Sequence, residues 1–314
     1  MSAHDCRGEA SNEIVPCVKT LIDFDNAVVV ALPVSPGFGE PDPRESMLIE
    51  GPQGWGEFSA PGDVRALTAA VEPGTVGWPD AVRGRVPVAV QVPAVDVDRA
   101  CALVRSSGCL TAEVTAGGDT PARIEAVRDA LGPQGRVRVV GPDDWDVDTA
   151  VTTIRAITDA VEYVEVPRAI LEGVRRRVDV PIAVVVDRAG LGGADIAVLS
   201  SSSLGGVRRA LRIAETVRVP CVVRAGRESS VGLAGAVALA GALPELRYAC
   251  AVSRPAWVTA DITTASRELV AVDGYLPVAP MPAAPEMELL SRWAADPAAV
   301  ARWRHRLSVA QQAL

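Results

Sequence analysis

The chain has 314 residues, a formal charge of −8 and 4% aromatic residues. That balance argues against a nucleic-acid partner, which needs cationic contacts to phosphate and aromatic platforms for bases. Hydrophobic residues at 49% against 22% charged supply a large core and exclude a disordered tail. The length suits two ordinary domains, or one barrel domain with an addition. The longest apolar run, Val231 to Leu243, is short of the roughly 20 residues a spanning helix needs, so no membrane partner is expected. The first residues, Met1 to Glu13, are polar, with no apolar signal region, and the expected location is cytoplasmic. The six cysteines, Cys6, Cys17, Cys101, Cys109, Cys221 and Cys250, show no CxxC spacing and read as reduced core thiols. The only lysine is Lys19, and the histidines are His4 and His305. The long stretch between them has no residue for a histidine base, a Ser-His-Asp triad, a histidine-bound metal or a Schiff base.

The first segment is β-rich. Ala27–Leu32, Ser46–Gly51 and Trp55–Phe58 read as strands, the last two joined by the turn sequence Gly51-Pro52-Gln53-Gly54. A short helix over Asp63–Val71 follows. From Val86 the pattern alternates strand and helix. Strands are expected at Val86–Val92, Cys109–Val114, Arg136–Val140, Glu162–Val166, Pro181–Val185, Asp195–Leu199, Pro220–Arg224 and, more weakly, Arg247–Val252. Several are continuous Val/Ile/Ala runs, as parallel strands buried on both faces require. The amphipathic stretches between them are Val97–Ser106, Thr120–Leu131, Trp145–Asp159, Ile170–Val178, Gly206–Val217 and Ser230–Ala242. Thr120 with Pro121, and Asp144 before Trp145, are taken as helix starts.

Eight strands at this spacing make an α/β fold, a modified (β/α)8 barrel with an N-terminal α+β capping domain. The connection from Val185 to Asp195 is too short for a helical crossover and carries Gly190, Gly192 and Gly193. The fifth barrel helix is therefore expected to be missing. Residues 1–85 form the expected cap, 86–255 the barrel and 256–314 a segment packing back on both. In that segment Val278–Pro285 reads as extended, and a helix from about Ala298 places Val300, Trp303 and Leu307 on one face.

A β-rich cap before a modified barrel resembles the enolase superfamily, and within it the o-succinylbenzoate synthase family of dehydratases. The resemblance rests on Met47-Leu48-Ile49-Glu50-Gly51-Pro52-Gln53-Gly54-Trp55-Gly56-Glu57-Phe58, Trp145-Asp146-Val147-Asp148-Thr149-Ala150, Asp195-Ile196-Ala197-Val198-Leu199, Leu204-Gly205-Gly206-Val207, Ser230-Val231-Gly232-Leu233 and Val272-Asp273-Gly274-Tyr275-Leu276-Pro277. It covers about Leu21 to Leu307. It implies Mg²⁺-assisted proton abstraction beside a carboxylate, with lysine as the base. The residues at the implied positions differ. Glu113 and Thr115 stand where a Lys-x-Lys pair is implied, and Val140-Gly141-Pro142 where a metal-binding Asp and its neighbours are. Glu165 keeps the second ligand, Val185 replaces the third, and Ser200 stands for the sixth-strand lysine. The loop from Phe58 to Asp63, which should close over substrate, is short. Several changes on one face of an intact scaffold are not explained by drift at a single position.

One carboxylate cannot build the oxygen octahedron that Mg²⁺ prefers, so no metal and no cofactor are expected. Glu113 and Glu165 are the candidate acid/base pair, since two neighbouring carboxylates split their pKa values. The alternative is that each is neutralised by an arginine. Thr115, Asp187, Ser200, Ser202, Arg224, Arg227, Glu228 and Arg254 are the candidate binding residues for a small-molecule substrate. Arg224 and Arg227 could clamp an anion or simply pair with Glu228 at the rim. Arg175-Arg176-Arg177 reads as a solvated helix end. Three functions stay open. The preferred one is a repurposed, metal-independent enzyme of the isomerase, lyase or cyclase type. The others are a catalytically dead binding or regulatory protein, and residual activity of the parent type. A homo-oligomer is compatible with all three.

Overall fold

The computed structural model describes residues 22–35, 43–187, 190–253 and 258–314. Strands β1 (Val28–Leu32), β2 (Arg44–Gly51) and β3 (Gly54–Phe58) form an antiparallel meander in the order of the sequence. Met47 pairs with Phe58 and Gly51 with Gly54 across the expected turn. Helix α1 (Val64–Thr75) starts at Asp63, whose carboxylate accepts the amides of Arg65 and Ala66. It runs a turn past Val71, through Pro73. It lies so close to β3 that a side chain on Gly56 would collide with the Ala70 carbonyl, which fixes glycine there.

Short strand β4 (Arg85–Pro87) leads into β5 (Ala89–Val92), and α2 (Val97–Ser107) follows. The succession continues with β6 (Thr111–Thr115), α3 (Thr120–Leu131), β7 (Arg136–Val140), α4 (Val147–Ile157), β8 (Val164–Glu165), a 3₁₀ turn at Arg168–Ile170, α5 (Leu171–Arg175) and β9 (Ile182–Val185). Then come β10 (Ile196–Leu199), α6 (Ser201–Leu204), α7 (Val207–Val217), β11 (Cys221–Val223) and α8 (Ser230–Ala242). Strands β5 to β11 lie parallel and in chain order in one sheet. Two residues of the weak eighth strand close it. Cys250 exchanges hydrogen bonds with Pro87 and Ala89, and Ala251 with Val223 and Ala225, all at 2.8–2.9 Å.

The strand residues alternate around the ring. Val90, Val92, Val114, Val139, Val164, Ile182 and Val184 join the helices in one cluster, while Tyr163, Ala183, Ile196, Val198 and Val222 form a separate one. The second cluster is the apolar lining of the barrel interior, packed as a solid core in the manner of such barrels. Between β9 and β10 the described residues contain no helix. A bridge from Asp187 to Gly190 and left-handed glycines at 190, 192 and 193 make the turn instead.

Helix starts differ from expectation by one or two residues. Asp119 caps α3 by accepting from Ala122 N, and Thr120 is its first helical residue, its hydroxyl turned to Gly117 N. Asp146, not Asp144, caps α4 through Thr149 N at 2.7 Å. In both cases the carboxylate that reaches the second or third helical amide decides the start. The fourth crossover holds only the short α5 where a longer helix was expected. Strand β12 (Tyr275–Pro277) pairs antiparallel with β4, and neither this pair nor helix α9 (Met287–Arg292) was foreseen.

The final helix α10 (Pro297–Gln312) opens on the Asp296 cap with proline at its first position. It packs on the meander. Trp303 is fully buried and meets Phe58 edge to face at 5.4 Å, and its Nε1 donates to Glu45. No helix among the described residues is long and apolar enough to cross a membrane. Cys101, Cys109, Cys221 and Cys250 are free and buried, whereas Cys6, Cys17, Lys19 and His4 lie outside the described residues. Arg175, Arg176 and Arg177 are solvated as expected, pairing with Asp195, Glu172 and Asp148. Trp303→Ala should remove the anchor between the returning helix and the meander and cost about 3–5 kcal/mol in urea unfolding.

Candidate active site

Each barrel strand sends alternate side chains inward, and four charged ones meet in the interior. Glu113 comes from β6, Arg138 from β7, Glu165 from β8, and Arg224 follows β11. Arg138 Nε stands 3.0 Å from Glu113 Oε2. Arg224 donates from Nε to Glu113 Oε1 at 3.1 Å and from Nη1 to Glu165 Oε1 at 2.6 Å. Gln91 Nε2 reaches Glu113 at 3.5 Å. The Arg138 side chain is fully buried; its Nη1 donates to the Ala249 carbonyl and its guanidinium lies over the Tyr163 ring. Two positive and two negative charges thus neutralise one another in the barrel interior.

Glu113 and Glu165 do share one site, joined by Arg224, but as ion-pair partners. Burial pushes Glu113 up, yet Arg224 and Arg138 outweigh it and hold the carboxyl below its ordinary range. Burial likewise pushes Glu165 up, and the single contact with Arg224 only partly offsets it. Glu165 Oε2 and Arg138 Nη2 are buried without a hydrogen-bond partner among the described residues. Arg138 was missed in the sequence. Its signal was the alternation of Arg136 and Arg138 with Val137 and Val139, which puts both arginines in phase on one face of β7.

The other expected residues are dispersed. Thr115 ends β6 half-buried, and its carbonyl accepts from Arg123. Ser200 is the N-cap of α6; it accepts from Ser203 N, and its hydroxyl is 3.1 Å from that of Ser202. Of the serine run from Ser200 to Ser203, it is Ser200 that caps the helix. Asp187 is exposed and pairs with Arg168 at 3.3 Å. The Arg227 carbonyl accepts from Arg44. Glu228 does not pair with Arg224 at the rim: it is buried under the cap, where Ser59 Oγ donates to it at 3.2 Å. Arg254 lies outside the described residues.

Above the tetrad, Val140 is half-buried and Val185 is 42% exposed, and the Arg224 side chain keeps 20% of its surface. This donor set does not fit Mg²⁺. Among the described residues here, Glu113 and Glu165 are held by arginines, Asp187 pairs with Arg168, and Val140 and Val185 bring no side-chain oxygen.

Residues 96–285 match the family described as enolase C-terminal domain-like, and residues 29–70 match the enolase N-terminal domain-like family. The chain belongs to the enolase superfamily. It is 43% identical over 308 residues to the o-succinylbenzoate synthase of Thermobifida fusca, covering 90% of this chain and 95% of that protein. It is 40% identical to the o-succinylbenzoate synthase of Mycolicibacterium smegmatis over 281 residues, 80% of this chain and 85% of that one. Among solved structures, muconate lactonizing enzyme from Pseudomonas putida superposes with a TM-score of 0.71 at 18% identity, covering 87% of this chain and 99% of that one. An enolase from Mycobacterium smegmatis complexed with tartrate gives 0.72 at 19% identity, over 85% and 89%. These two share the superfamily fold, the expected cap and barrel.

The tetrad makes a prediction about this superfamily member's stability. Glu113→Gln leaves Arg138 fully buried beside a neutral amide, so chemical denaturation should show a loss of about 3–5 kcal/mol, as for other broken buried pairs. A surface pair such as Arg176 with Glu172 should cost under about 1 kcal/mol when broken in the same way.

Proposed function

We propose that this chain is a non-catalytic member of the superfamily: a binding or regulatory protein built on the o-succinylbenzoate synthase scaffold. The carrying observation is that both candidate proton-transfer carboxylates are engaged by arginines, Glu113 by two and Glu165 by one. An arginine contact stabilises a carboxylate as an anion and weakens it as a base, and of the two only Glu165 keeps an oxygen without a partner among the described residues. The barrel also lacks lysine and histidine, so no other strong base stands at these strand ends. This reverses the preference drawn from the sequence, where the same two carboxylates were the proposed acid/base pair. The proposed ligand is a small molecule at the barrel mouth, and the proposed setting is the cytoplasm. We also propose the division into a cap at 1–85, a barrel at 86–255 and a returning segment at 256–314, which the packing of Trp303 on Phe58 supports.

The curated relatives' names supply the direct test. Purified protein, given Mg²⁺ or Mn²⁺, should form no o-succinylbenzoate above a blank. Turnover that disappears in Glu165→Gln would overturn the proposal and restore a residual parent activity.

A repurposed, metal-independent enzyme is the second reading, and one observation favours it. Glu165 keeps an unpartnered oxygen and burial raises its pKa, the properties of a general acid. With a substrate in hand, this reading expects activity unchanged by EDTA and a kcat lower by about 10²- to 10⁴-fold in Glu165→Gln. A variant with near-full kcat removes it.

A further inference from the structure

Val270 and Ala271 of the returning segment face the end of α2 across a cavity of about 150 Å³. The walls of this cavity are fixed on every side. Leu269 N donates to the Ser230 hydroxyl of α8 at 2.8 Å, and Val272 exchanges backbone hydrogen bonds with Tyr275 at 2.9 and 3.0 Å, where β12 joins β4. These two anchors hold Val270 and Ala271 between them. On the barrel side, Val90 is set in β5 opposite Ala112 of β6. On the helix side, α2 stops at Gly108, which takes the left-handed conformation. Well-packed interiors hold few voids larger than a water molecule, so a space of this size needs an account.

The wall is mainly apolar. Val90, Leu103, Cys109, Val270 and Ala271 face the space, and no charged side chain lines it among the described residues. Serines complete the wall, and two of them spend their hydroxyls on their own helix. Ser106 donates to the Leu103 carbonyl at 3.1 Å and Ser107 to the Val104 carbonyl at 2.8 Å. The Cys109 thiol is likewise turned to the Ser107 carbonyl, at 3.7 Å. A buried water needs two to four polar partners, and these groups leave it few. The space exists because Ala271 and the serines carry too little side chain to fill it. It is separate from the barrel mouth. Val90 belongs to the outer cluster with the helices, whereas the next residue, Gln91, reaches Glu113 on the inner face of β5.

We propose that this cavity is a second binding site, for an uncharged apolar molecule the size of benzene. Volume sets the size, since an apolar cavity of about 150 Å³ accepts a benzene-sized guest. Wall chemistry sets the class. An ionised ligand would be buried here without a counter-charge, at a cost that its apolar contacts do not repay. The guest's carbon atoms supply the dispersion contacts that a void withholds from the atoms around it. Rigidity favours binding, because walls already fixed by β5, α2 and the two anchors need little further ordering. Val270, 42% exposed, stands at the rim and marks the entrance. The site lies outside the barrel wall, so it is independent of what the barrel mouth binds.

The test is methyl NMR on the full chain, with benzene as the probe. Benzene should shift the Val90, Leu103 and Val270 methyl resonances saturably. Benzoate, the same ring carrying a charge, should not. Absence of a saturable shift at these methyls overturns the site, and so do shifts confined to Val140 and Val185, which would put benzene at the barrel mouth. Benzoate binding as tightly as benzene overturns the uncharged class. Ala271→Phe places a ring of its own in the cavity and should abolish the benzene shifts; shifts that survive in the folded variant overturn the site. Should that variant fail to fold, nuclear Overhauser contacts from benzene to the Val90 and Leu103 methyls in the wild type decide. Their presence supports the site, and their absence overturns it.

Discussion

Charge buried inside a barrel has to be cancelled where it stands, because water cannot reach it and burial of an isolated ion costs several kcal/mol. In this protein Arg224 is the member that makes cancellation complete. It spans from β11 to both Glu113 and Glu165, while Arg138 closes the set from the other side of Glu113. With all four present, the interior is neutral and the strands that carry them keep their register. With one removed, the buried charges no longer balance. Around this neutral set the strands alternate as strand geometry dictates, and the barrel closes through backbone hydrogen bonds of Cys250 and Ala251.

The same network bears on chemistry. A carboxylate held by two guanidiniums is stabilised as an anion and is a weak base, and an arginine bridging two carboxylates has little charge left to attract a third anion. Glu165 is the exception, with one oxygen engaged and one unpartnered. Around this set, Val140 and Val185 bring no side-chain oxygen to the strand ends.

Cap and barrel meet through another device. The contacts of Glu57 and Glu72 replace hydrogen bonds that two barrel helices cannot make for themselves, so the cap helps to complete the barrel helices as well as covering them. Trp303 on α10 ties the end of the chain to Phe58 of the same strand that carries Glu57. Strand β3 is therefore fixed on one side by an aromatic contact and on the other by a buried carboxylate.

Local order was legible in the sequence because it follows from periodicity and punctuation. The Val/Ile strands, the α2, α3, α7 and α8 helices and the missing fifth helix need only apolar spacing, glycines and connection length. The exact caps were not legible, since Asp144 and Asp146 compete for one helix start and geometry chooses between them. Residue content alone excluded histidine and lysine chemistry, and it placed Glu113 and Glu165 on strands of one barrel. What each carboxylate became was decided by tertiary structure. Arg138 and Arg224 are 25 and 111 residues from Glu113 in sequence, and no local pattern pairs them. Glu228 stood four residues past the expected strand end at Arg224, next to Arg227, yet it turned under the cap toward Ser59, 169 residues away. A charge takes its partner from whatever the closed barrel and the docked cap bring within about 3 Å, and that distance exists only once the chain has folded.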